Sequence, residues 1–127
     1  MMFDIDVISN DMAINFLKAN KASKEVVFYR SHNKWYGVFA QGHLCGVTGI
    51  DYKEKYNEIC GVFVEKRYRN LGVGTLLNNT VIEENGNKKL IVYARPVEAH
   101  ILSKYGFVVK QTLKNQTVKM ERGVNNG

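Results

Sequence analysis

The sequence of 127 residues is poor in proline, cysteine and histidine, and it has no long apolar run. It contains one proline, two cysteines and three histidines. Two cysteines make no disulfide framework, and no Cys or His pair has ligand spacing, so we predict no metal site. No stretch reaches the roughly 18 consecutive apolar residues that a membrane helix needs, so we predict no membrane span.

The remaining composition is that of an ordinary globular protein, with 45% hydrophobic and 24% charged residues. Domains usually contain about 100–150 residues. We therefore predict one domain over residues 1–122 and a flexible tail over residues 123–127. The N-terminal segment carries acidic residues in place of the basic and apolar regions of a signal peptide, so we expect a cytoplasmic protein.

Positive charge is in excess, with 18 Lys and Arg against 12 Asp and Glu, a net charge of +6. Part of the excess is concentrated at Lys66, Arg67 and Arg69, and part lies in the chain after Ile101. Such a balance suits an anionic partner. The charge alone does not distinguish the phosphates of a cofactor from a nucleic acid or an acidic protein surface.

Hydrophobic periodicity predicts a mixed sheet with helices packed on it. The predicted strands cover residues 3–9, 26–30, 56–64 and 89–94, with hairpins around residues 41–42 and 114–116. The predicted helices cover residues 11–20, 71–85 and 97–105. This order of elements belongs to the α/β (α+β) class and excludes both a purely parallel and an all-β fold.

The segment over residues 62–77 carries the clearest chemical signal. An apolar strand ends at Val64, a basic loop follows, and the run Arg69-Asn70-Leu71-Gly72-Val73-Gly74 leads into a helix. Glycines let a phosphate approach the backbone amides, and a helix N-terminus leaves about four N–H groups unpaired. The pattern is neither a Walker loop nor a dinucleotide fingerprint, because the residues that complete those motifs are absent.

This segment resembles the GNAT superfamily of N-acetyltransferases, whose signature is Arg/Gln-x-x-Gly-x-Gly/Ala between a strand and a helix. Arg69, Gly72 and Gly74 match the signature, and the run Lys104-Tyr105-Gly106-Phe107 matches the family's Gly-Phe ending. The resemblance covers about residues 35–122. It implies a mixed, mostly antiparallel sheet with helices on both faces.

The resemblance also implies acetyl-CoA as co-substrate and transfer of its acetyl group to a primary amine, directly and in a ternary complex. The implied fold splays the strand of Val64 away from the strand of Val92, with the thioester in the gap. The backbone of Val62 to Val64 would pair with the pantetheine arm, and the loop amides and the Thr75 hydroxyl would hold the pyrophosphate. The predicted cofactor-binding residues are Val62, Phe63, Val64, Arg69, Asn70, Leu71, Gly72, Val73, Gly74 and Thr75.

Glu58 is the predicted general base. It lies six residues before Val64, which in a regular strand places both side chains on one face, and some family members carry a catalytic glutamate there. The family's usual acid, a tyrosine, is replaced by Leu102. Tyr105 is a weak candidate for the acid, with Ser103, Tyr93 or water as alternatives.

Three further residues are predicted on the acceptor side. Arg95 ends a central strand beside the expected gap, and the aromatic residues Trp35 and Tyr36 lie in the predicted hairpin. Two other functions stay open on the same fold. One is a protein that modifies or binds nucleic acid, indicated by the basic residues, and the other is a CoA-binding module with little catalysis, indicated by Leu102.

Overall fold

The computed structural model describes residues 2–22 and 30–123. These residues form seven strands and three α-helices. The strands are β1 (Phe3–Ile8), β2 (Lys34–Ala40), β3 (His43–Tyr52), β4 (Tyr56–Val64), β5 (Lys89–Ala94), β6 (Val108–Thr112) and β7 (Val118–Arg122). The helices are α1 (Asn10–Ala19), α2 (Val73–Asn85) and α3 (Pro96–Ser103).

The strands form one sheet in the order β1-β2-β3-β4-β5-β7-β6. Strands β4 and β5 are parallel, because α2 carries the chain back between them, and the other neighbouring strands are antiparallel. The predicted mixed, mostly antiparallel sheet is therefore confirmed. The final hairpin forms as predicted, and its second strand, β7, lies next to β5.

Helices cover both faces of the sheet, as predicted. On the α2 face, α2 and α3 pack on the main core, a cluster that includes Val38, Ile50, Leu77, Val92 and Leu102. Burial of these apolar side chains on the sheet is the main force that holds the two helices in place.

On the opposite, α1 face, Phe16 and Leu17 of α1 pack against Trp35, Val47 and Phe63 from the sheet. The helix begins after Ser9, whose Oγ accepts a hydrogen bond from the backbone N–H of Met12 at 3.1 Å. This capping bond satisfies one of the free amides at the start of the helix.

Close approach of α2 to the sheet depends on Gly46 in β3. A β-carbon built at Gly46 would lie 2.7 Å from Cγ1 of Val73, which is too short for a real contact. The missing side chain therefore lets the first turn of α2 rest directly on β3 and fixes where the helix begins relative to the sheet.

Two sequence predictions fall on other parts of the chain. The strand predicted over residues 26–30 lies, apart from Arg30, outside the described residues. The same holds for the predicted tail beyond Gly123. The predicted turn at Gln41 and Gly42 is confirmed, and both residues have positive φ, 49° and 82°, as a two-residue hairpin requires.

Candidate functional site

A gap opens in the middle of the sheet where β4 and β5 part. Residues 56–59 of β4 are paired with residues 89–92 of β5, and the pairing stops there. Beyond that point, residues 60–64 of β4 have no partner on β5 in the described structure. This is the splay that the sequence comparison with the family implied.

A bulge in β4 marks the start of the gap. Ile50 of β3 pairs with Ile59, but Thr48 pairs with Val62, so β4 has one more residue than β3 in this stretch. The extra residue is accommodated at Gly61, whose φ of 96° is a backbone conformation that glycine adopts without strain.

The bulge reverses the alternation of side chains along β4. Ile59 lies in the main core, and Val62 and Val64 pack against the same core, while Phe63 points to the α1 face. Glu58, which precedes Ile59, therefore faces away from the main core and lies on the opposite face from Val64. The prediction that Glu58 and Val64 share a face was wrong, because it assumed a regular strand.

A cavity of about 810 Å³ occupies the gap. It extends from the parted strands to the first turn of α2 on one side and to α3 on the other. Of the residues predicted to bind ligands, these line it: Val62, Phe63, Val64, Arg69, Asn70, Gly72, Gly74, Thr75 and Arg95. The sequence motif and the gap therefore form one continuous site.

The free edge of β4 turns backbone groups into this cavity. The N–H of Glu65 donates to the carbonyl of Cys45 on β3 at 2.8 Å. Because backbone direction alternates along a strand, Val62 and Val64 then point their N–H and C=O groups away from β3 and into the gap. The guanidinium of Arg69 donates from Nε to the Val64 carbonyl at 2.9 Å, which ties the basic loop to the strand end.

The start of α2 supplies a second set of free amides. Gly72 is the N-cap residue with φ 92°, and it has no side chain to cap the helix. The first helical bond runs from the N–H of Leu76 to the Gly72 carbonyl at 3.0 Å. The N–H groups of Val73, Gly74 and Thr75 thus have no partner within the helix, and a helix N-terminus of this kind attracts anions.

Two of the predicted loop residues have other roles. Val73 is 1% exposed and belongs to the main core, so it anchors the helix and offers the site only its backbone. Leu71 is exposed and does not line the cavity. Asn70 has a φ of 65°, a left-handed conformation that asparagine tolerates, and it carries the chain into the turn before Gly72.

A cluster of polar side chains holds the basic loop beside the cavity. Glu65 lies 3.0 Å from Nε2 of His43 and 3.3 Å from Nε of Arg67. Burial acts to raise the pKa of Glu65, but hydrogen bonds from His43 and Arg67 outweigh it and hold the pKa below its ordinary value. The ring of Tyr68, which lines the cavity, stacks on His43 at 5.7 Å.

Glu58 lies near the gap but does not line the cavity. It is half-buried, and it pairs with Asp51 of β3 and Ile91 of β5. Asp51 is held by Nδ1 of His32 and by the guanidinium of Arg30, each at 2.9 Å.

Hydrogen bonds favour the ionised form of the neighbouring carboxylate, Asp51. Burial acts to raise its pKa, but hydrogen bonds from His32, the backbone N–H of Asn33 and Arg30 together lower the pKa below its ordinary value. Glu58 therefore faces a carboxylate whose own hydrogen bonds point elsewhere, towards the segment that precedes β2.

Trp35 and Tyr36 do not line the cavity, and their predicted acceptor-side role was wrong. Trp35 is 1% exposed and donates from Nε1 to Oδ1 of Asn10 at 2.6 Å. Tyr36 is 2% exposed and donates to Oε1 of Glu84 at 3.0 Å. Both belong to β2, which α1 and α2 cover from the two faces.

Tyr105 is also away from the cavity. It follows α3, packs against the main core, and its carbonyl accepts a hydrogen bond from Nε of Arg122 at 2.9 Å. Arg95 does line the cavity, and its guanidinium donates to Glu98 at 3.2 Å. Leu102 lines the cavity too and is 6% exposed. The residue at the position of the family's usual tyrosine is therefore at the site, but a leucine side chain has no acidic proton.

Sequence reasoning gave too little weight to Tyr93 and missed Thr117, both of which line the cavity. Tyr93 lies between Val92 and Ala94, and strand alternation alone placed it on the face opposite these two core residues. No sequence signal indicates Thr117, because its position at the cavity depends on the pairing of β7 with β5.

No helix in the part of the chain that the structure describes is long and apolar enough to cross a membrane. Residues 2–22 and 30–123 hold no group of three or more His, Cys, Asp or Glu side chains arranged to bind a metal ion.

Comparison with known proteins points to one family. The model of the acetyltransferase (GNAT) domain family matches residues 6–120. A GNAT-family acetyltransferase from Streptococcus pneumoniae has a similar structure, with a TM-score of 0.75, 16% identity, and coverage of 97% of this chain and 100% of that chain. No curated protein sequence matches significantly.

Two similar structures were solved with coenzyme A. The catalytic domain of the Tetrahymena GCN5 histone acetyltransferase has a TM-score of 0.73 at 16% identity, and covers 99% of this chain and 95% of that one. The PaiA N-acetyltransferase of Thermoplasma acidophilum has a TM-score of 0.68 at 16% identity, and covers 98% of this chain and 100% of that one.

Proposed function

The chain belongs to the GNAT acetyltransferase family, and on that premise we propose that it moves an acetyl group from acetyl-CoA to a primary amine by direct transfer in a ternary complex. The observation that carries the proposal is the cavity between β4 and β5, which joins a free strand edge to a free helix N-terminus. Acetyl-CoA has an extended arm that contains amides and leads to a pyrophosphate. The amides need a strand edge to pair with, and the pyrophosphate needs free N–H groups.

The site residues fit acetyl-CoA by their chemistry. The outward N–H and C=O groups of Val62 and the N–H of Val64 can pair with the pantetheine amides as a neighbouring strand would. The free amides of Val73, Gly74 and Thr75 can hold the pyrophosphate. Bound acetyl-CoA would supply the acetyl group as a thioester, whose thiol is an undemanding leaving group.

The two cysteines support direct transfer rather than a covalent acyl-enzyme. Burial raises the pKa of the Cys60 thiol and also that of Cys45, so neither is poised as a thiolate. Within the described residues, Cys60 accepts a hydrogen bond from the N–H of Gly49 at 3.0 Å, and the Cys45 thiol donates to the Val38 carbonyl at 3.4 Å.

We assign the general base to Glu58. An amine must lose a proton during transfer, and a carboxylate within reach directly or through one water can accept it. Glu58 lies on the α1 face beside the gap, whereas the helix amides lie on the α2 side. The two substrates would therefore approach from opposite faces of the sheet, which is the arrangement that a ternary complex requires.

The proposal is tested by calorimetry of acetyl-CoA binding to the wild type and to Asn70→Asp. The variant keeps the shape of the side chain and tolerates the left-handed conformation at residue 70. A negative charge before the helix stabilises α2 by a few tenths of a kcal/mol or more, but it repels a pyrophosphate. We expect binding by the wild type and about tenfold weaker binding by the variant.

Asn115→Asp is the matched control. Asn115 also has a left-handed backbone, with φ 59°, and it is exposed between β6 and β7 and does not line the cavity. The Asn115→Asp variant should bind acetyl-CoA with the same affinity as the wild type. Equal losses in both variants would point to a general charge effect, and absence of binding by the wild type would overturn the proposal and leave the nucleic-acid alternative to be tested.

A further inference from the structure

Direct transfer leaves one proton unassigned, that of the departing thiolate. Leu102 stands at the cavity in the position of the family's tyrosine, and a leucine side chain has no proton to give. A donor to this thiolate must be a cavity-lining residue with an exchangeable proton, since proton transfer needs hydrogen-bonding distance.

The lining residues at the loop end of the cavity serve other contacts. Arg69 binds the carbonyl of Val64. Asn70 and Thr75 lie at the N-terminus of α2, where the anion site is, and Asn78 in the same helix has an amide, which is a far weaker acid than a phenol. Tyr68 stacks on His43, which holds it with the basic loop.

At the other end, where β4 and β5 part, three lining residues are poor donors. The Cys60 thiol lies against the backbone of Gly49, and burial raises its pKa. The Arg95 guanidinium is engaged in a hydrogen bond to the carboxylate of Glu98. Thr117 has an alkyl hydroxyl, which is a far weaker acid than a phenol.

Tyr93 is the remaining lining residue with a suitable proton. Its side chain leaves the sheet on the α1 face, because its neighbours Val92 and Ala94 lie in the main core. Glu58 leaves the sheet on the same face, one residue before Ile59, which pairs with Val92. Tyr93 therefore flanks the gap from the β5 side and Glu58 from the β4 side.

Two properties of Tyr93 suit a proton donor. Tyr93 carries a phenolic O–H, which can donate a proton to a group bound in the cavity that the residue lines. Tyr93 is also 44% exposed, so its hydroxyl can regain a proton from water after each turnover.

Resting on the proposed function, we propose that Tyr93 donates its phenolic proton to the leaving thiolate and so replaces the missing tyrosine at position 102. In the step, a bond forms between the acceptor nitrogen and the acyl carbon, and the bond between that carbon and sulfur breaks. Glu58 takes the proton from nitrogen, and Tyr93 gives its proton to sulfur. Glu58 then releases a proton to solvent, and Tyr93 takes one up, so the net products are the amide and the free thiol.

The activity test compares Tyr93→Phe with the wild type in a coupled assay of CoA release with a panel of primary amines. We expect kcat to fall about 100-fold, at the low end for general acid catalysis, with KM for acetyl-CoA unchanged. Tyr56→Phe is the matched control, since Tyr56 is on the same face but does not line the cavity. A fall in Tyr105→Phe with none in Tyr93→Phe would overturn the assignment.

A binding test needs no turnover. Calorimetry with CoA and with desulfo-CoA, which lacks the sulfur, isolates the contact between the hydroxyl and the sulfur. We expect Tyr93→Phe to bind CoA about fivefold more weakly and desulfo-CoA as tightly as the wild type does. Equal losses for both ligands would show a merely structural role and overturn the inference.

The two tests separate this inference from the proposed function. If the wild type binds no acetyl-CoA, the proposed function fails. If the wild type binds and transfers the acetyl group while Tyr93→Phe retains full kcat, the proposed function stands and the role of Tyr93 is overturned.

Discussion

The two halves of β4 belong to one strand but have different neighbours. Residues 56–59 are hydrogen-bonded to β3 on one side and to β5 on the other. Residues 60–64 are bonded to β3 alone, and their other edge lines the cavity. One strand therefore supports the sheet along its first half and offers a binding edge along its second.

The bulge at Gly61 separates the two halves and gives them opposite orientations. Before it, Ile59 faces the main core and Glu58 faces the α1 side, and after it, Val62 and Val64 face the α2 side. A single inserted residue thus puts the predicted base and the predicted cofactor edge on different faces of the sheet. The site therefore depends on an irregularity in the strand as much as on the motif that follows it.

The largest expected effect is on stability, in the first half. Ile59 is 3% exposed in the main core, and Ile59→Ala should cost about 3 kcal/mol in the free energy of unfolding, because it leaves a cavity among packed side chains. Val64→Ala in the second half, where the side chain is half-buried, should cost under about 1 kcal/mol. Urea denaturation of both variants measures these losses in the free energy of unfolding. Equal losses would contradict the difference between the two halves of β4.

The next effect is on catalysis. Glu58→Gln removes the proposed base while the side chain keeps its size, so kcat should fall about 100-fold, equivalent to about 2.7 kcal/mol. The affinity for acetyl-CoA should not change, because Glu58 is outside the cavity. The variant's rate should recover as pH rises towards the pKa of the acceptor amine, and an unaltered kcat at pH 7 would reject the assignment.

A smaller effect distinguishes two glycines that line the cavity, Gly61 in β4 and Gly74 in α2. Gly61→Ala should cost about 1–2 kcal/mol in stability, since a β-carbon is strained at φ 96°. Gly74→Ala should stabilise the protein by up to about 1 kcal/mol, because residue 74 is helical and a β-carbon there would lie 3.8 Å from Cγ1 of Val62, an ordinary contact. Thermal unfolding of both variants tests the bulge, and a neutral Gly61→Ala would argue against it.

The smallest effect concerns Asp51, which faces Glu58 in the fully paired half. Its folded-state pKa lies below the unfolded value, so its contribution to stability is complete above about pH 4 and is lost as pH falls through the folded-state pKa. Asp51→Asn should be less stable at pH 7 but should lose less stability between about pH 5 and pH 2 than the wild type. Urea unfolding across that range decides, and parallel pH curves would contradict the assignment.

Local signals in the sequence predicted the order of elements and the phosphate loop. The run from Arg69 to Gly74 lies at a strand-to-helix junction, and Gly72 and Asn70 have the positive φ that such a turn needs. These features depend on residue types within a few positions of one another. The order of elements and the phosphate loop can therefore be predicted without knowing what packs against them.

Features that depend on distant contacts were harder to predict. Trp35 and Tyr36 alternate as strand residues should, but only the positions of α1 and α2 decide that both are buried. A bulge opposite Gly49 decides that Glu58 and Val64 lie on different faces of the sheet. Nothing in the local pattern of β4 distinguishes a bulged strand from a regular one. Tyr105 lies beside a motif residue, Gly106, yet packs against the main core.

The sequence by itself determined the fold class and the anion-binding turn, because periodicity, glycine conformation and helix capping act over short distances along the chain. Tertiary structure alone decided which side chains meet at the gap. The pairing of β7 with β5 brings Thr117 to the cavity, and the register between β4 and β5, which pairs Glu58 with Ile91, puts Glu58 on the face of the sheet where Tyr93 lies. Those placements follow from strand pairing between distant segments, whose register no local pattern specifies.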